Sequence, residues 1–225
     1  MGSRIIQFPA DAYCGRLWGP NLQSIEEGEE FGEARGDVFV PTDKRIELWV
    51  DTETALLSLP LLANLPADSF DSVSLACTNA TDADLRYLTH FTCLRGLALW
   101  ETRIGDEALL LLKSFPQLES LDIGDTNITD FGLHHLRSLS ALHDLSLPNT
   151  AVGNLGMEPL ADLKKLKTLG LRNTKVNDDG IAYLSSLSEL RYLSIYETGI
   201  TEKGYSELKR NLPACKIGYF ESNDL

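Results

Sequence analysis

Two places in the chain hold residue types able to do chemistry. The stretch TNITDFGLHHL, residues 126 to 136, sets His134 and His135 side by side just after Asp130. Imidazoles beside a carboxylate are the material of a metal site or a proton relay. The spacing argues against both. Neighbours on a helix point about 100° apart, whereas chelating pairs stand at i and i+4. Asp130 also stands where a helix begins, so capping is its expected task. The other place is Cys77, a thiol that would need a base within reach to act as a nucleophile. His90 and His143 are isolated, and neither is spaced to serve it. Cys14, Cys77, Cys93 and Cys215 are far apart and form no Cys-x-x-Cys pair. Phosphate-loop, dinucleotide, nucleophile-elbow and zinc-protease motifs do not occur. The expectation is therefore no catalytic residue, no cofactor and no metal.

The histidines belong to a larger pattern. Lines begun at Leu94, Leu118, Leu142, Leu166 and Leu190 superpose without gaps at a step of 24 residues. The shared pattern is L-x-x-L-x-L-x-x-T-x-I-x-D-x-G-L-x-x-L-x-x-L-x-x. Leu121 and Ile123 alternate as in a short strand with one buried face. Leu133, Leu136 and Leu139 recur at helical spacing, so each repeat should end in a short helix or 3₁₀ segment. His134 and His135 then fall on that outer, helical side. Asp82, Asp106, Asp130, Asn154, Asp178 and Glu202 occupy one column at the helix start, where they are expected to cap free N–H groups. No single repeat can bury its leucines, so the lines must stack, at about 4.8 Å per strand.

This pattern resembles the leucine-rich-repeat family, over roughly residues 46 to 225. The register reaches back to Phe70, Val73, Leu75 and Thr78, and forward to Ala214, Ile217, Tyr219 and Ser222. Ile46 to Pro66 reads as a further repeat with slipped spacing. The resemblance implies an α/β solenoid, a horseshoe with a parallel concave sheet and short convex helices. Thr78, Thr102, Thr126, Thr150, Thr174 and Thr198 fill a column where family members often carry Asn. Their hydroxyls should satisfy backbone groups where the chain leaves the strand. The style is similar to ribonuclease-inhibitor-like and cysteine-containing short repeats, and to repeat proteins frequent in bacteria.

Residues 1 to 45 have a different composition and read as a small β-rich cap over the open end of the solenoid. Across their end GEARGDVFVPTDKRIELWV, residues 32 to 50, reads as strand, turn, strand, with the turn at Pro41-Thr42-Asp43. The acidic run Glu26 to Glu33 reads as a solvated loop, with contact to a basic partner as the sharper alternative. The 46–225 segment would end in a last strand and a polar tail that cap the far end.

Function in such an architecture belongs to strand side chains that avoid the core. The rows running along the concave face carry Trp100, Glu101, Asp122, Asp125, Arg172, Tyr192, Tyr196 and Glu197. Exposed aromatics and Arg are the residue types that dominate protein interfaces. Glu119, Asp122 and Asp125 form an acidic centre, and Lys165, Lys167, Arg172 and Lys175 a later basic stretch. Two signs along one face suit a protein partner. The net charge of -13 argues against nucleic acid and favours a basic partner. The expectation is a non-enzymatic, monomeric protein-interaction module, in its sharper form an inhibitor or immunity-type protein. Recognition of a small molecule or glycan by the same aromatic and carboxylate groups is the alternative. No apolar run reaches membrane length and the N-terminus lacks a secretory h-region, so the cytoplasm is the expected location.

Overall fold

Each x-Leu-x triplet becomes one three-residue strand whose middle side chain is buried. The computed structural model describes residues 2–19 and 29–219. The repeat strands are β5 (Glu47–Trp49), β6 (Ser72–Ser74), β7 (Gly96–Ala98), β8 (Ser120–Asp122), β9 (Asp144–Ser146), β10 (Thr168–Gly170), β11 (Tyr192–Ser194) and β12 (Lys216–Gly218). They pair in parallel, and Leu48, Val73, Leu97, Leu121, Leu145, Leu169, Leu193 and Ile217 form one continuous buried row. The slipped segment from Ile46 does supply a repeat.

The second half of each repeat is helical, as its spacing predicts. The short helices are α1 (Glu53–Leu57), α2 (Asp82–Leu85), α3 (Asp106–Leu109), α4 (Asp130–Leu133), α5 (Asn154–Leu160), α6 (Ile181–Leu184) and α7 (Glu202–Asn211). After α4 the chain tightens into a 3₁₀ turn at His134–Ser138, with Leu133, Leu136 and Leu139 buried. His134 is exposed and His135 half-buried on this outer side.

Two ladders lock the repeats. The threonine column behaves as expected: Thr102 and Thr126 donate their hydroxyls to the carbonyls of Leu99 and Ile123 at 2.6 Å. The aspartate column does something the sequence did not suggest. Asp106 accepts the Thr129 N–H at 2.8 Å and its hydroxyl at 2.6 Å, across the repeat boundary. Asp82 takes the Gly105 N–H, Asp130 the Gly153 N–H, and Asp178 the Thr201 N–H and hydroxyl. These groups therefore satisfy the N-cap residue of the following repeat rather than their own helix. A carboxylate at the first helical position points along the solenoid, where the neighbour's orphan N–H is in reach. The glycine column follows from this. A Cβ on Gly132 would collide with Asp106 Oδ1, and one on Gly156 would lie 2.7 Å from Asp130 Oδ1.

The N-terminal strands are β1 (Ser3–Gln7), β2 (Arg16–Gly19), β3 (Glu29–Glu33) and β4 (Asp37–Pro41). β1 and β4 form a separate antiparallel ribbon. β2 pairs antiparallel with β5, and β3 with β2, so the solenoid sheet has ten strands. The strand, turn, strand reading of 37–49 holds, although β4 and β5 belong to different sheets. The reading of Glu26 to Glu33 as a loop is corrected: Glu29–Glu33 is the edge strand β3, because its backbone completes the β2 ladder. Glu26 to Gly28 lie outside the described residues, as do Ser222 and the polar tail expected after β12.

Candidate functional site

The helices cover one face of the sheet and leave the other open. The register fixes which side chains share that open face. Trp18, Glu47, Ser72, Gly96, Ser120, Asp144, Thr168, Tyr192 and Lys216 form one row of cross-strand partners. Arg16, Trp49, Ser74, Ala98, Asp122, Ser146, Gly170, Ser194 and Gly218 form the next. Trp100, Arg172 and Tyr196 follow these strands by two residues and continue the same alternation. Trp100 and Tyr192 remain 38% and 37% exposed, although packing does not require them there.

The third row has a backbone cause. Cys77, Glu101, Asp125, Asn149, Asn173 and Glu197 all adopt positive φ, between 52° and 58°. The left-handed region costs non-glycine residues energy, least so Asn and Asp. Here the turn lets the N–H groups of Cys77, Glu101, Asp125, Asn149 and Asn173 reach the next repeat, as in Glu101 N–H to the Gly124 carbonyl at 3.0 Å. The side chains then pair along the row. Asn173 donates to Asn149 at 2.9 Å, and Asn149 to the Asp125 carboxylate at 2.9 Å. Arg172 makes a two-pronged contact with Glu197 at 3.0 and 3.2 Å, which holds the Glu197 carboxyl below its usual range. Cys77 Sγ lies 3.5 Å from Glu101 Oε2. Desolvation and then that carboxylate push the thiol up, which opposes the thiolate a nucleophile needs.

The centre of the face is less acidic than the sequence suggests. Glu119 is contacted by Arg95, by Arg45 at 3.7 Å and by His143 Nε2 at 3.8 Å, while His143 Nδ1 lies 2.9 Å from Asp144. Asp122 is half-buried. Burial raises its carboxyl above the usual range, against the lowering effect of the Gly124 N–H at 3.0 Å. Lys165, Lys167, Arg172 and Lys175 are exposed. Tyr196 is half-buried, its ring close enough to Gly218 that a Cβ there would meet it at 2.7 Å. The structure therefore joins Arg172 to Glu197 and ties Asp125 into a ladder. Trp100 and Tyr192 stand apart, at different strands of one face.

Sequence reasoning missed one group on this face. The Trp18 and Trp49 rings lie 5.2 Å apart, tilted by 31°, at the β2–β5 end. Their buried indole N–H groups make no well-formed hydrogen bond. Glu47 faces Trp18 across the strands. The signal was available: Glu47-Leu48-Trp49 is an x-Leu-x triplet, but it precedes Val73's triplet by 25 residues rather than 24. Among the described residues no cluster of His, Cys, Asp and Glu is arranged to hold a metal ion, and no helix is long and apolar enough to cross a membrane.

No protein-family profile matches the sequence, and no curated protein does. Solved structures do. Internalin C2 of Listeria monocytogenes superposes with a TM-score of 0.53 at 22% identity, over 78% of this chain and 80% of that one. The chain has the leucine-rich-repeat fold. A second Listeria monocytogenes internalin, inlF, gives a TM-score of 0.53 at 22% identity over 73% of this chain and 51% of its own. A leucine-rich-repeat protein of Leptospira interrogans matches 59% of this chain and 33% of its own, at 23% identity and a TM-score of 0.47. This chain thus spans about half the length of inlF and a third of the Leptospira protein. In leucine-rich-repeat terms the open face is the concave one, and the histidine pair lies on the convex side.

Proposed function

We propose that this leucine-rich-repeat chain is a protein-binding module that receives its partner on the concave face. One observation carries the reading: all three tryptophans of the chain, Trp18, Trp49 and Trp100, stand on that face. Tryptophan is rare, large and dominant in interface energetics, and none of the three is needed to fill the leucine core. Tyr192 extends the aromatic set to the far end, and the Arg172–Glu197 pair supplies a polar element beside it. The small residues between, Ser74, Ala98 and Gly170, leave room for a partner's side chains. The net charge of -13 steers basic partners towards the molecule. In its sharper form the protein is an inhibitor or immunity-type protein for a basic enzyme.

The test compares wild type with Trp100→Ala/Arg172→Ala/Tyr196→Ala as affinity bait in extract of the source organism. A captured protein is then purified and run with each bait on gel filtration. Co-elution with wild type and loss with the folded triple variant is the expected result. Equal co-elution with both moves the binding surface off the concave face. A thermal shift with a small ligand or oligosaccharide, and no protein partner, would replace this reading with small-molecule or glycan recognition.

A further inference from the structure

We propose that Glu47, walled by Trp18 and Trp49, receives a lysine or arginine side chain of a basic protein partner. The inference rests on the concave face being the binding surface. Its first support is a carboxylate without a cation. Glu47 is half-buried between Trp18 on one neighbouring strand and Ser72 on the other. The surrounding carboxylates are satisfied: Asp51 by Tyr13 at 2.8 Å and Arg16 at 3.0 Å, Glu30 by Arg16 at 3.4 Å, and Glu29 by Lys44. Asp71 accepts the Ile46 N–H at 2.9 Å. Arg45, two residues before Glu47, turns to Glu119 at 3.7 Å. No described Lys, Arg or His forms an ion pair with Glu47, and segments 20–28 and 220–225 contain none of these residues. A half-buried carboxylate without a counter-charge is costly, and an incoming cation relieves that cost.

The second support is the wall. Two indoles 5.2 Å apart, both half-buried, stand on the same face as the carboxylate. Indole is the aromatic group that attracts cations best, and guanidinium also stacks on it. The third is access. On the side away from β2 the next two strands present Ser72, Ser74, Gly96 and Ala98, so among the described residues these strands place no bulky side chain beside Glu47. Burial pushes the Glu47 carboxyl up, against a smaller lowering by the nearby Trp49 indole, which agrees with a group lacking a counter-charge.

The three indole N–H signals of the chain provide the readout. A blocked tri-arginine peptide is titrated into the ¹⁵N-labelled full-length protein at moderate salt, with blocked tri-citrulline as the uncharged isostere. The expected result is saturable movement of the Trp18 and Trp49 signals by tri-arginine and none by tri-citrulline. Glu47→Gln, which keeps the shape and removes the charge, should weaken the titration about fivefold or more. Trp18→Phe should weaken it independently, and the rest of each spectrum reports whether the variant is folded. Equal movement by both peptides, or an undiminished Glu47→Gln titration, overturns the proposal. So does movement of the same two signals by chitotriose and not by tri-arginine, which would make the pair a sugar platform. The general reading fails separately. A partner lost by the Trp100/Arg172/Tyr196 variant but indifferent to Glu47→Gln sinks only this inference. A partner retained by that triple variant sinks the general reading.

Discussion

Replacing glycine by alanine inside a helix ordinarily stabilises a protein by up to about 1 kcal/mol. Gly132→Ala should do the reverse. Gly132 is buried in α4, and its missing Cβ is where Asp106 of the previous repeat places Oδ1. Alanine would drive that carboxylate off the Thr129 N–H and hydroxyl, two charge-assisted bonds of 2.8 and 2.6 Å. Each is worth about 1.5 kcal/mol or more. A loss of about 3 against a gain of about 1 leaves a net destabilisation of about 2 kcal/mol. The other close atom, Leu109 Cδ1 at 2.9 Å, ends a flexible side chain and can rotate away. The assay is urea unfolding followed by circular dichroism, with thermal melts in parallel. For a chain of this size the Tm should fall by about 4 to 8 °C. The same substitution in an Asp106→Ala background should be neutral or mildly stabilising, because no carboxylate remains to displace. An equal penalty in both backgrounds, or a Gly132→Ala protein as stable as wild type, would refute the reasoning.

Two further outcomes follow from the same architecture. Leu145 is 1% exposed in the central row of the sheet, so Leu145→Asp should cost more than about 4 kcal/mol and abolish the cooperative melt; an unchanged Tm would disprove the register. The hydroxyl and N–H of Thr201, and more weakly Lys203, hold the Asp178 carboxyl below its usual range. Its folded pKa thus lies below the unfolded one, so the stabilisation is present at neutral pH and lost as pH falls through the carboxylate range. The stability gap between wild type and Asp178→Ala should therefore narrow on acidification, and a gap independent of pH would contradict this origin.

The repeat domain was legible because its period is regular in sequence and each period advances the chain by one strand in space. Leu97 through Leu193 keep a 24-residue step, and every one lies in the core row. The threonine column was readable for the same reason: its hydrogen bonds stay within one repeat. The aspartate bonds run between repeats, and only the pairing of an aspartate with a glycine 26 residues on, Asp106 with Gly132, Asp130 with Gly156 and Asp178 with Gly204, betrays them in sequence. β2 and β3 were obscured because antiparallel strands carry no share of the period. That concealed Trp18, and the one-residue slip before Val73 concealed Glu47 and Trp49. Of the concave residues named from sequence, Glu101, Asp125, Arg172 and Glu197 proved already engaged with neighbours, a fact that depends on the left-handed turn at Glu101, Asp125 and Glu197 and has no linear signature.

The aspartate staples also set a rule for how the molecule can change length. A strand meets its partner 24 residues on, while Asp106 meets Thr129, 23 residues on; both counts close only when a repeat keeps its size. A copied block of residues 118–141 would arrive with its own Asp130, its own Gly132 and its own Thr129 to receive the staple before it. A single inserted residue would break both counts at once. Where the step is 25, between Leu48 and Val73, no such staple forms: Asp84 of its own helix takes the Thr81 N–H at 2.8 Å, and Glu53 reaches instead the Asn79 N–H at 3.0 Å and its side-chain amide at 2.9 Å. Length in this molecule is quantised, and where the count slips the staple is lost and the repeats are joined at a different residue.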